Sequence, residues 1–129
     1  MKNFLLILLV IILIAFMTSV RAHEMTPTHV EWKPSMFDGV LKAELELFNK
    51  RADTEFFEIG VFDEGFSNVP FVSTYKLVRV RHLDHLKFDL FIRESDVNRA
   101  HYVCSRSKLI ADTTSKSLIS SRICSRFKK

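Results

Sequence analysis

Glycine is almost missing from this sequence, with three in 129 residues. That scarcity leaves no phosphate-cradling loop and no GxSxG nucleophile elbow, and no serine stands in a recognisable setting with histidine and aspartate. The chain therefore reads as a non-enzyme with no cofactor and no small-molecule substrate. Cysteine is equally scarce. Cys104 and Cys124 are the whole complement and form no CxxC knuckle, and zinc asks for four ligands, which argues against a metal held by this pair alone. Beyond Ala22 no segment carries a convincing helical period, and there is no internal repeat or low-complexity stretch. Long apolar runs are absent too, except at the N-terminus.

There, Lys2 precedes an unbroken apolar run from Phe4 to Met17, and the small residues Val20 and Ala22 stand one apart behind it. A charged start, a short apolar middle and a small-residue cleavage site make a secretory signal. The run is about 14 residues, whereas a bilayer-spanning helix takes about 20. Residues 1–22 are therefore expected to be a signal peptide, and residues 23–129 a single domain. The protein would meet a membrane only during export, and would work in the periplasm or be otherwise exported.

About 107 residues remain after that cut, enough for one core and too few for two. Their charge is unevenly placed: residues 23–98 hold 9 basic and 14 acidic side chains, while residues 99–129 hold 8 basic ones and only Asp112. A basic end attracts acidic surfaces. Nucleic acid is a poor fit, because the aromatic residues are not interleaved with the basic ones as stacking platforms.

What the sequence has in quantity is alternation. Leu41, Ala43, Leu45 and Leu47 alternate with Lys42, Glu44 and Glu46, which puts apolar side chains on one face of a strand and charges on the other. Phe57, Ile59 and Val61 repeat the pattern, as do Phe88, Leu90 and Ile92. Thr28–Lys33, Tyr75–Arg81, Ala100–Leu109 and Leu118–Phe127 supply weaker strands, separated by turn signals such as Asp38-Gly39, Asp63-Glu64-Gly65 and Asp112-Thr113-Thr114-Ser115. Seven short strands with frequent turns predict an all-β, immunoglobulin-like antiparallel β-sandwich.

A turn centred on Thr114 sets the register of the last two strands. It places Cys104 opposite Cys124, Val103 opposite Ser125, Tyr102 opposite Arg126 and Leu109 opposite Ile119. Directly opposed residues bring their β-carbons within reach of a disulfide, and an even cysteine count in an exported chain favours one. Arg106 and Arg122 also oppose one another, which costs stability unless an anion or carboxylate sits between them.

The stretches Thr28-His29-Val30-Glu31-Trp32-Lys33-Pro34, Leu45-Glu46-Leu47-Phe48-Asn49-Lys50, Glu58-Ile59-Gly60-Val61-Phe62-Asp63 and Ser121-Arg122-Ile123-Cys124 resemble the N-terminal immunoglobulin-like domain of the periplasmic, PapD-like chaperones of pilus assembly. The resemblance implies a protein partner, a pilin-like subunit or another exported protein, bound by β-strand pairing. It also implies basic residues that anchor the partner's terminal carboxylate. Those positions fall on His29 and Cys124, with Arg122 and Arg126 as the charged substitutes. Leu118, Ile119 and Ile123 are the apolar side chains available to a partner. Some members of the family carry a disulfide between these last two strands.

Two rival readings stand beside this one. Cleavage after Ala22 would leave His23 at the N-terminus, where amine and imidazole together grip copper, with His29, His82, His85 or His101 as a second ligand. The other is a structural surface component that uses the fold without the activity. Phe56, Phe62 and Phe91 fall on the polar faces of their strands, so each is either covered or part of a partner surface. Mass spectrometry of the exported form should report a chain that begins at His23 and contains no free thiol; a retained Met1 would overturn the leader assignment.

Overall fold

The computed structural model describes residues 7–9, 11, 12, 14, 22–108 and 119–129. No helix among the described residues is long and apolar enough to cross a membrane. The expected turn at Asp112–Ser115 lies outside the described residues, as does Leu109 of the expected Leu109–Ile119 pair. Among the described residues from 22 onward ten strands follow: β1 (Glu24–Thr26), β2 (His29–Val30), β3 (Lys33–Pro34), β4 (Val40–Phe48), β5 (Phe56–Phe62), β6 (Val72–Ser73), β7 (Leu77–Arg79), β8 (His85–Arg93), β9 (Tyr102–Ser107) and β10 (Arg122–Phe127). A 3-10 turn, Glu94–Asp96, sits between β8 and β9.

The strands form two sheets. One has the order β1-β4-β8-β6, with β3 also on β4; the other has the order β2-β10-β9-β5-β7. The fold is the expected immunoglobulin-like sandwich. Its strongest alternating segments build it: β4 and β8 pair along their full nine residues, from Val40 opposite Arg93 to Phe48 opposite His85. Inward-facing Ala43, Leu45, Leu47, Leu90 and Ile92 from that sheet meet Phe57, Ile59, Val61, Val103 and Phe127 from the other, all buried. The alternation that made these strands legible is the alternation that fills the space between two sheets.

The expected strand at Thr28–Lys33 is divided in the structure, and the division matters. The chain pairs first with β4 as β1, crosses at the cis Thr26–Pro27 peptide to lie on β10 as β2, then returns to β4 as β3. Because β2 arrives by a crossing and not through a hairpin, its pairing with β10 is parallel, a departure from the antiparallel pattern expected. The expected Tyr75–Arg81 strand shortens to β7, and β6 precedes it in the other sheet. Both are edge pieces, too short for period two to show in the sequence.

Asn49 closes one end of the sandwich. Fully buried, it donates from its side-chain amide to Thr54 O (2.8 Å) and Val80 O (2.9 Å), and its Oδ1 accepts from Arg51 N (2.9 Å). These bonds satisfy backbone groups that no strand partner reaches. The outer face of β4 and β8 is laced by ion pairs: Lys42 reaches both Glu44 (3.1 Å) and Asp89 (3.1 Å), and Lys33 reaches Glu44 (2.9 Å). The hydrogen bonds from Lys33 and Lys42 pull the Glu44 carboxyl down to about 2. Leu90 has no exposure and belongs to the core cluster, so Leu90→Ala should cost about 3 kcal/mol, measured as a lower urea midpoint at unchanged slope.

Candidate functional site

The site begins with the ladder between β9 and β10. Arg122 faces Arg106, Ile123 faces Ser105, Cys124 faces Cys104, Ser125 faces Val103 and Arg126 faces Tyr102, which is the register expected from the turn position. Backbone bonds from Phe127 N to His101 O (2.9 Å) and from Ser107 N to Ser121 O (2.9 Å) give the odd-numbered residues of β10 to β9. Cys104 and Cys124 therefore form a non-hydrogen-bonded pair, the kind in which side chains approach most closely. Their disulfide is present, with the Cα atoms 4.0 Å apart.

The same alternation turns the backbone N–H and C=O groups of Arg122, Cys124, Arg126 and Lys128 toward the opposite edge. Arg126 N donates to Thr28 O (2.9 Å) and Lys128 N to Val30 O (2.8 Å), so β2 occupies the far end of that edge. It goes no further, because Thr26 belongs to the other sheet, paired with Glu46. Among the described residues no strand pairs with β10 beside Arg122 and Cys124. An unpaired edge of this kind is a template for another strand.

Side chains around that edge sort by face. Arg122, Arg126 and His29 are exposed on the outer face, with His29 beside Arg126 in the ladder. Ile123 points inward and packs, half-buried, on the core. Ile119 is 69% exposed, and its carbonyl accepts from Arg51 Nη2 (2.9 Å). Leu118 lies outside the described residues. The structure thus gathers His29, Arg126 and Arg122 at one edge, while Ile123 serves this chain's own core and Ile119 lies just before the strand.

Behind the edge lies a buried polar network that sequence reasoning missed. Arg51, 6% exposed, grips Asp53 with Nε (2.8 Å) and Nη2 (2.6 Å) and donates from Nη1 to Ser107 Oγ (3.1 Å) and Ser121 Oγ (2.9 Å). Ser121 Oγ lies 3.2 Å from His23 Nδ1, and His23 Nε2 lies 2.9 Å from Ser105 Oγ and 3.2 Å from Ser105 O. The bonding closes when Nε2 donates and Nδ1 accepts, which assigns the neutral tautomer from its neighbours. Arg51 follows the end of β4 in the polar stretch Asn49-Lys50-Arg51, and only serines scattered along the chain hinted at its partners.

These bonds give the copper reading no support. The His23 ring is 2% exposed, tilted against Phe57 (4.7 Å) and engaged at both nitrogens. His85 turns instead to Glu46 (2.7 Å) and stacks on Phe48. Among the described residues no three His, Cys, Asp or Glu side chains form a group that could hold a metal ion.

No protein-family model matches the sequence, and no curated protein does. Solved structures do match. The E. coli chaperone DraB aligns over 82% of this chain and 53% of its own, at TM-score 0.61 and 17% identity. The periplasmic chaperone SfaE aligns over 83% and 56%, at 0.51 and 13%. This is a PapD-like immunoglobulin fold. A PapD-like domain of human CEP192 shares it over 81% of both chains, at TM-score 0.53 and 7% identity. The chain spans about half the length of the two chaperones, and at such identities the PapD-like likeness is one of architecture.

Burial lowers the His23 pKa, opposed by its bond to Ser105 O and reinforced by the Arg51 charge. The folded state thus favours neutral His23, and its contribution is complete above the unfolded value of about 6.5 and lost as pH falls through the lower folded value. Urea midpoints should drop between neutral and mildly acid pH, and His23→Gln should flatten that drop.

Proposed function

We propose that this protein is an exported protein-binding module that takes up a partner strand along the open edge of β10, in the manner of a pilus-assembly chaperone. One observation carries the reading: the backbone of Arg122 and Cys124 faces outward with no partner strand among the described residues, and the edge ends at Arg126 and His29. Main-chain bonds supply affinity in such strand addition, and alternate side chains supply specificity. A partner strand that runs along this edge meets β2 and stops. Its terminal carboxylate would then lie beside Arg126, with Arg122 nearer its start, and charge-assisted bonds to a guanidinium are stronger than neutral ones.

The likeness to DraB and SfaE, both named as chaperones, supports a pilin-like or other exported protein as that partner, and the periplasm as the place of work. The leader at residues 1–22 fits that location, and residues 23–129 would act as one domain. Binding of this kind needs no catalytic group and no cofactor. The Arg51 network gives the strand a fixed start, since it holds Ser121 and the Ile119 carbonyl just before β10.

The test is hydrogen exchange on the oxidised protein with and without a pilin subunit that lacks one strand. The Arg122 and Cys124 amides should become protected, and the double variant Arg122→Ser, Arg126→Ser should weaken binding about tenfold or more, as loss of charged contacts does. Unchanged exchange at both amides in a formed complex would refute edge pairing.

A further inference from the structure

We propose that the outer face of β5, β9 and β10 is a second docking surface, whose occupant is an acidic polypeptide segment bearing an aromatic or aliphatic side chain. Charge is the first argument. Glu58, Arg106 and Arg122 stand in one row across the three strands, but Glu58 is taken by Lys108 at 2.6 Å. Arg106 and Arg122 are left opposed, and among the described residues neither has a carboxylate partner. Directly opposed like charges destabilise a sheet. The outer face of the other sheet, by contrast, is bridged through Lys42 to Glu44 and Asp89. The unbalanced face is the one that fits a carboxylate from outside.

Aromatic placement is the second argument. Phe62 folds its ring back over Gly60, where any β-carbon would lie 2.8 Å from it, and the Arg122 guanidinium sits over that ring at 5.6 Å. Phe66 adopts φ 61, a conformation that a bulky side chain rarely takes. Asp63 Oδ1 holds the turn there by accepting from Gly65 N (2.9 Å) and Ser67 N (2.8 Å). The result is a Phe66 ring stacked on Tyr102 at 4.9 Å and 2°, yet 49% exposed. Aromatic and arginine side chains in one exposed cluster are the composition of protein-binding hot spots. An acidic side chain fits between the two arginines, and an apolar neighbour fits the Phe62, Phe66 and Tyr102 rings.

This surface goes beyond the edge: Phe62, Phe66, Tyr102 and Arg106 offer nothing to strand addition, and only Arg122 is shared. The probe is a blocked peptide of alternating glutamate and phenylalanine, N-methylated at each peptide bond so that it cannot add as a strand. It is titrated into isotope-labelled oxidised protein and followed by NMR. Shifts should cluster on Phe62, Phe66, Tyr102 and Arg106, with affinity about tenfold above that of a glutamine-for-glutamate peptide. Phe66→Ser and Arg106→Ser should each weaken binding about tenfold, and Arg106→Ser, at an exposed site, carries the test if the other variant melts early. Equal binding of the glutamine peptide, shifts clustered elsewhere, or tighter binding of an oligothymidine would overturn the proposal. Absence of binding would also overturn it, and would leave edge pairing standing because the methylated peptide cannot test that.

Discussion

The pairing of β10 with β9 is the constraint from which the site follows. With Cys124 opposite Cys104, parity decides everything else on the strand. Even-numbered residues send their backbone groups to the open edge and their side chains to the outer face, while Ile123, Ser125 and Phe127 turn inward. A slip of one residue would bury the arginines and expose Phe127. The disulfide fixes that register covalently, and a cross-link across an intervening stretch of this length contributes on the order of 3 kcal/mol by restricting the unfolded chain. For a single small core that is a large share of net stability.

The edge exists because of what the N-terminal segment does. A first strand that stayed on one sheet would either cover β10 throughout or leave it bare. Here the chain crosses at residues 26–28, so β2 covers only the end at Arg126 and Phe127. Before the crossing, the same segment inserts His23 among Ser105, Ser121 and Arg51. Seating of His23 and position of the β10 start are thus joined by one chain of hydrogen bonds. Buried polar networks of this kind constrain geometry strongly once every member is satisfied.

The two outer faces of the sandwich differ in kind. Across β4 and β8 charges of both signs alternate and neutralise one another, as on an ordinary solvated surface. Across β5, β9 and β10 the arginines lie among aromatic rings, Glu58 is taken by Lys108, and among the described residues Arg106 and Arg122 have no carboxylate partner. The basic stretch at residues 99–129 is thereby given a direction. Arg106, Arg122 and Arg126 are collected on one face, while Arg99 pairs with Asp96 beyond β8.

The strands with strict alternation, β4, β5 and β8, were legible in the sequence because period two is a local property that a half-buried sheet imposes on every strand. The cysteine pairing was legible for a similar reason, since a turn position and strand parity fix which residues oppose. Leu45, Phe57 and Leu90 could be assigned to the core by inspection. Other features could not be read this way. The split of Thr28–Lys33 between two sheets, the burial of His23 with Arg51, and the stacking of Phe66 on Tyr102 all join residues far apart in the chain. No local pattern encodes such contacts, because they exist only once two sheets have packed and brought separate segments together. The sequence by itself therefore determined the layers, the core and the sulfur bridge, while tertiary packing alone decided where β2 lies on β10 and how the arginines sit among the aromatic rings, because those contacts join segments far apart in the chain.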